Sequence, residues 1–176
     1  MSNIFFISDT HFGHVNILTF EPVFRPFKTI EEHDEVLVSN WNKTVKKGDI
    51  VYHLGDFTLS EDRIQIANRL NGDKRLILGN HDKFATATYM KYFTHLYGCK
   101  GFEGVWLSHI PVHPYSLGNR ATHNIHGHLH SKNVMKSGFG GYIIQRDERY
   151  LNVGCEQIGL TPVAWEDLKL IIEATK

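Results

Sequence analysis

Five short clusters of oxygen- and imidazole-bearing side chains punctuate the chain: Asp9-Thr10-His11, Gly55-Asp56, Gly79-Asn80-His81-Asp82, Ser108-His109 and Gly127-His128-Leu129-His130. Asp9 and His11 stand two positions apart, as do His128 and His130, and an extended backbone aims such a pair the same way. Gly127 permits a tight backbone approach just ahead of the second pair. Carboxylate, imidazole and amide oxygen in one set suit borderline divalent ions such as Mn, Fe, Co, Ni or Zn. A thiolate zinc site is not expected, because Cys99 and Cys155 lie far apart and in no CxxC pattern. The ligands outnumber the needs of one tetrahedral ion, and two ions sharing one carboxylate would account for the surplus.

Ligands on separate stretches must be brought together by rigid elements, and the first three clusters each follow a short apolar run. The runs read as strands over residues 3–8, 50–54 and 74–78. Between them, residues 30–45 read as a helix, with Thr29 and Glu32 as a capping box and Ile30, Leu37, Trp41 and Val45 as its apolar stripe. Ser60 is placed to cap a second helix that runs to about Leu70 and closes at Asn71-Gly72. A short helix is expected around residues 86–94. Glycine-punctuated β-like segments follow at 96–108, 122–127, 141–146 and 150–154. Residues 166–173 read as a closing helix with Leu168, Ile171 and Ile172 on one face. There is no repeat, low-complexity segment or linker, so one α/β (mixed α+β) domain over residues 1–176 is expected.

The series D-x-H, G-D, G-N-H-D, H, G-H-x-H over residues 9–130 resembles the calcineurin-like metallophosphoesterase family. The segment Ile7–Ile17 (ISDTHFGHVNI) further resembles a small stand-alone branch of phosphoesterases from bacteria and their phages. The resemblance implies two packed mixed β-sheets flanked by helices. It implies that Asp9, His11, Asp56 and His130 hold one metal and that Asp56, Asn80, His109 and His128 hold another, with Asp56 bridging. His81 is then a proton donor, with Asp82 placed to orient it. Two such cations can lower the pKa of a shared water toward about 7 and clamp phosphate oxygens, so that hydroxide attacks phosphorus while His81 protonates the leaving oxygen. The implied enzyme is a phosphoesterase or phosphodiesterase for a nucleotide or other small phosphorylated molecule, with manganese the favoured ion.

Other residues have plainer readings. Twelve histidines are many for this length, and His33, His53 and His95 read as structural or solvated. His113, His123 and His126 flank the ligand segments, and a structural role is the expectation for them. His14, three positions past His11, is a candidate for substrate binding. So is Arg25, within the aromatic, proline-punctuated loop 20–28, where a guanidinium can grip a phosphate in a forked geometry. Residues 111–123 could form a partial lid.

Composition sets bounds on function. Hydrophobic residues make up 41% of 176 and charged residues 22%, as in an ordinary globular protein. No stretch is long and apolar enough for a membrane span or a secretion signal. Two cysteines do not make a disulfide scaffold, and the cytoplasm is the expected compartment. A net charge of zero argues against a broad electrostatic grip on nucleic acid, although a nuclease acting on RNA or DNA ends uses the same metal core. No G-x-S-x-G elbow or Walker loop is present. A non-catalytic scaffold stays open as an alternative, but such a protein would usually have lost a ligand or the proton donor.

Overall fold

In the computed structural model the described residues are 2–137 and 143–175. Two β-sheets form the centre. The first has strand order β11-β1-β2-β3-β4, built from β1 (Ile4–Ile7), β2 (Ile50–His53), β3 (Asp73–Ile77), β4 (His95–Tyr97) and β11 (Val163–Ala164). β1 to β4 run parallel, and β11 adds an antiparallel edge. The second has order β10-β7-β6-β5, from β5 (Cys99–Phe102), β6 (Val105–Ser108), β7 (His123–His126) and β10 (Tyr150–Asn152). A small ribbon pairs β8 (Met135–Ser137) with β9 (Ile143–Arg146). The β-like segment expected over 141–146 begins outside the described residues and is strand from Ile143 onward.

Strand alternation explains why the first sheet is covered on both faces. Phe5 and Ile7 of β1, Val51 of β2 and Leu76 of β3 join one core with Leu37 and Trp41 of α2 (Ile30–Thr44). Phe6, Tyr52 and Ile77, one position along, join the other core with Val105, Leu107 and Ile125 of the second sheet. Each such side chain, fully buried, contributes about 1.5–3 kcal/mol. Sheet therefore packs on sheet, with α2 outside one layer and α4 (Trp165–Ala174) closing the inter-sheet core.

The caps differ in detail from the sequence pattern. Thr29 Oγ1 accepts the Glu32 N–H at 3.2 Å, while Glu32 Oε2 reaches back to the Lys28 N–H rather than to that of Thr29. Ser60 makes no side-chain cap; Thr58 Oγ1 accepts the Ser60 N–H instead, and the segment Glu61–Arg69 winds as a 3-10 helix. The helix expected around 86–94 is the single turn α3 (Thr86–Tyr89). In α4, Leu168 and Ile172 are buried but Ile171 is half-exposed, and Trp165 fills the inner face in its place. A short α1 (Ile17–Phe20), β8 and β11 lack enough period for sequence pattern to reveal them. Among the described residues no helix is long and apolar enough to cross a membrane.

Candidate metal centre

The strand ends converge. Asp9 and His11 follow β1, Asp56 follows β2 and Asn80 follows β3, all from the first sheet. His109 follows β6, and His128 and His130 follow β7, from the second. Asp9, His11, Asp56, His128 and His130 all adopt left-handed φ, between 49° and 67°. Backbone in this region costs non-glycine residues roughly 1–3 kcal/mol each and persists where the surroundings enforce it, typically at functional sites. Two glycines make the convergence sterically feasible. A Cβ at Gly79 would run into the Asp56 carboxylate, and one at Gly127 into the Ser8 hydroxyl and the Asp9 carboxylate.

Among the described residues two groups of side chains are close enough to hold ions: Asp9 with His11 and His130, and Asp9 with Asp56 and His109. Asp9 is common to both. Asp56 nonetheless lies between the two sets, with Oδ2 3.8 Å from His11 Nε2 and 3.3 Å from His109 Nε2. Asn80 Oδ1 lies 3.0 Å from His109 Nε2, and the His128 ring sits 5.1 Å from that of His109. Both ring nitrogens of His11 are buried without a hydrogen-bond partner, a costly state for a polar group that a metal ion would relieve. His109 Nδ1 donates to the Leu54 carbonyl at 2.7 Å, which leaves Nε2 to face the Asp56 and Asn80 oxygens. These residues fit two divalent ions in donor type, convergence and number.

The electrostatics follow from burial and pairing. Burial raises the Asp9 carboxyl above its usual range, against the nearby charges of His109 and His130. For Asp56 burial acts upward too, but the hydrogen bond and charge of His109 and the N–H of His81 outweigh it and hold the carboxyl low. His109 shows the reciprocal effect: burial would lower it, and Asp56 raises it. Burial drives His11 well below the ordinary imidazole value, with the Arg25 charge adding to it.

The remaining candidates divide. The exposed His81 ring lies 5.9 Å from that of His11, within the site and open to solvent. His14 is half-buried, with its ring 5.4 Å from His11 and 6.1 Å from the exposed ring of Phe20. Asp82 does not orient His81. Its carboxylate accepts the N–H groups of Asp56, Phe57 and Gly79, and burial pushes it up to about 6 despite those donors. The reason is the turn Gly79–Asp82, which directs the Asp82 side chain inward while His81 points out.

Arg25 also departs from expectation. It is wholly buried, so it cannot meet a substrate at the mouth. Its guanidinium is spent inside the protein: Nε donates to Glu156 Oε1, Nη2 to the Asp9 carbonyl and Nη1 to the Thr10 carbonyl and His33 Nε2, while Nη2 also ion-pairs with Glu156 Oε1. Glu156, which the sequence reading missed, also accepts from His130 Nδ1 at 3.1 Å. No motif marks it; only its pairing with Arg25 across the fold does. Of the other histidines, His33 and His53 are buried and hydrogen-bonded, and His126 Nδ1 donates to the Gly127 carbonyl. His95 is exposed and stacks on Tyr97, and His113 caps the short turn Pro114–Ser116. Residues 117–123 lead to the start of β7, where Leu117, Thr122 and His123 line a hollow with Arg149 and Thr175. That end of β7 is opposite His128, so this part of the expected lid lies away from the centre.

The family model described as calcineurin-like phosphoesterase matches residues 2–164. An uncharacterized protein of Methanocaldococcus jannaschii is 37% identical over 180 residues, covering 100% of this chain and 94% of that protein. The gene 66 protein of Mycobacterium phage L5 is 31% identical over 196 residues, covering 85% of this chain and 93% of the phage protein. The crystal structure of a protein of unknown function from Aquifex aeolicus superposes with a TM-score of 0.73 at 27% identity, covering 97% of this chain and 100% of that one.

Proposed function

This chain belongs to the calcineurin-like phosphoesterase family and is a metal-dependent phosphoric ester hydrolase, and we propose that it cleaves a phosphate mono- or diester of a small molecule, a nucleotide above all. The observation that carries this reading is the pair of Asp/His clusters meeting at Asp9, with both His11 ring nitrogens buried and lacking a protein partner. Asp9, His11, Asp56 and His130 would hold one ion, and Asp56, Asn80, His109 and His128 the other. Manganese is the favoured ion, and Fe, Co, Ni or Zn also match the donor set. When bound, the ions supply charge neutralisation for phosphate oxygens and acidify water toward neutral pH.

The chain's own residues do the rest. His81, exposed beside His11, donates a proton to the leaving oxygen. Asp82 holds the Asp56 turn in place through two N–H bonds, from Asp56 and Phe57, and closes its own turn on the Gly79 N–H. On one flank, His14 and Phe20 offer ring faces next to the ligands, where a base can stack. On the other, a hollow of about 290 Å³ is lined by Leu78, Asn80, Gly98, His109 and Ile110. Zero net charge supports a small substrate over a long nucleic-acid track, and free Cys99 and Cys155 agree with a cytoplasmic setting.

The test is a turnover screen of purified protein over nucleotides, aryl phosphates, phosphodiesters and short RNA, with Mn, Ni, Mg and Zn supplied separately. Metal-dependent release of product from a nucleotide or small ester is the expected result. Cleavage confined to RNA would replace the small-molecule reading with a nuclease, and no turnover with any ion would leave the scaffold reading.

A further inference from the structure

A buried relay connects helix α2 to the metal centre. The Asp34 carboxylate accepts the Gly13 N–H at 3.0 Å and pairs with His33 Nδ1 at 3.0 Å. His33 Nε2 faces Arg25 Nη1 at 2.9 Å. Arg25 meets Glu156 Oε1 at 2.6 Å, and the same oxygen meets His130 Nδ1. Arg25 and Glu156 are both completely buried at the side chain. An ion pair so deep is weak evidence for stability, because desolvation offsets the attraction. Its geometry is informative. Arg25 donates to the carbonyls of Asp9 and Thr10, the backbone of the left-handed turn that presents Asp9 and His11. Through Glu156 it reaches His130, whose turn comes from the other sheet.

We propose that the Arg25–Glu156 pair is the positioning element of the metal site formed by Asp9, His11 and His130, an inference that rests on the two-ion reading above. Glu156 takes the Nδ1–H of His130, so the ring presents an unprotonated Nε2, 3.9 Å from Asp9 Oδ1, that would be free to ligate. Arg25 fixes the opposing turn at the same time. One guanidinium thus sets the separation of ligands from two sheets. The Asp56, Asn80, His109 and His128 set has no bond to the pair among the described residues.

The experiment is Mn titration of metal-free protein, followed by calorimetry and by the electron paramagnetic resonance of bound Mn. Wild type should show two binding events. Glu156→Gln should weaken one of them by about 10–100-fold, as loss of a histidine's carboxylate partner does elsewhere, and leave the other unchanged. A double variant, Arg25→Met with Glu156→Leu, replaces the ion pair by apolar groups of similar size. It should melt at or above the wild-type temperature in metal-free form and still bind that one ion weakly. A purely structural pair predicts recovery of affinity along with stability, and that result, or wild-type Mn binding by Glu156→Gln, would overturn the proposal. A wild type that takes up one equivalent refutes the two-ion reading instead; Glu156→Gln then decides the pair's role by whether that ion is lost.

Discussion

The Asp82 carboxylate accepts the Asp56 backbone N–H at 2.7 Å and that of Phe57 at 3.1 Å, which ties the Gly79–Asp82 turn to the turn that presents Asp56. Hydrogen bonds to a charged acceptor are worth about 1.5–3 kcal/mol each, and stranded donors cost more than the bond was worth. Asp82→Ala should therefore destabilise the fold by roughly 2–4 kcal/mol in denaturant unfolding. It should also lower activity by displacing Asp56. Adding Asp82→Ala to His81→Ala should reduce kcat further; no further reduction would return Asp82 to a role behind His81.

Asp56 stands between His11 and His109, whereas Asp9 is the member common to both clusters. Mn-loaded protein should hold about two ions per chain by elemental analysis. Asp56→Asn should weaken both, and Asn80→Ala should leave about one. Saturation of the wild type at one equivalent under excess Mn would contradict the two-ion centre.

His81 is exposed and holds no hydrogen bond through its ring among the described residues. His81→Ala should keep both ions and lose about 10²–10⁴-fold in kcat for esters with poor leaving groups. The loss should shrink for p-nitrophenyl phosphate, whose leaving group needs little protonation. Equal losses for both substrates would mean that His81 positions the substrate.

Burial pushes the His53 imidazole down to about 3. The Gly55 N–H occupies Nδ1, and Nε2–H faces Thr10 Oγ1, so a second proton has no acceptor. In the unfolded chain the ring titrates near 6.5. Between those values the unfolded state binds the extra proton, so stability is full above about pH 6.5 and falls as pH drops through this window. Metal-free His53→Gln, less stable at neutral pH, should show a stability–pH slope shallower than wild type by about 1.4 kcal/mol per unit between about pH 6 and 4. Parallel slopes in urea unfolding would show that His53 titrates normally.

Phe20 is 66% exposed beside His14, and Arg25 is fully buried. Phe20→Ala should leave thermal stability alone and raise KM for a nucleotide roughly fivefold, about 1 kcal/mol of lost stacking, with little change for a small aliphatic phosphate. Arg25→Ala should do the reverse, unfolding the protein more readily by leaving Glu156 buried without its partner. If Phe20→Ala and wild type share one KM across substrates, the exposed rings are not a base-binding wall.

The candidate ligands were legible because their chemistry is local. A carboxylate or imidazole just past an apolar strand can be read from a few neighbouring residues, and Asp9, His11, Asp56, His109 and His130 do meet in the structure. The strands were legible for the same reason, since Phe5 and Phe6 already declare two buried faces. Arg25 was misread because its partner is 131 positions away, and an arginine among phenylalanines looks the same whether it points out or in. Asp82 was misread because adjacency to His81 in sequence says nothing about which way a tight turn sends each side chain. Glu156 has no local signature at all, since its role exists only once Arg25 and His130 have been brought to it.

Both Asp/His clusters take members from both sheets: Asp9, His11 and Asp56 from strand ends of the first layer, His109 and His130 from the second. Ions held there would rivet two layers that are otherwise joined by apolar packing and by a few hydrogen bonds, those of His109 to the Leu54 carbonyl and of the His128 N–H to Asp9 among them. By mass action, an ion present at about a hundred times its Kd adds about 2.7 kcal/mol to the folded state. Chelation would thus uncouple the layers before it unwinds either, and amide exchange in β6 and β7 would speed up while β1 and β2 stayed protected. The chain's lifetime in a cell would then track the free supply of its metal.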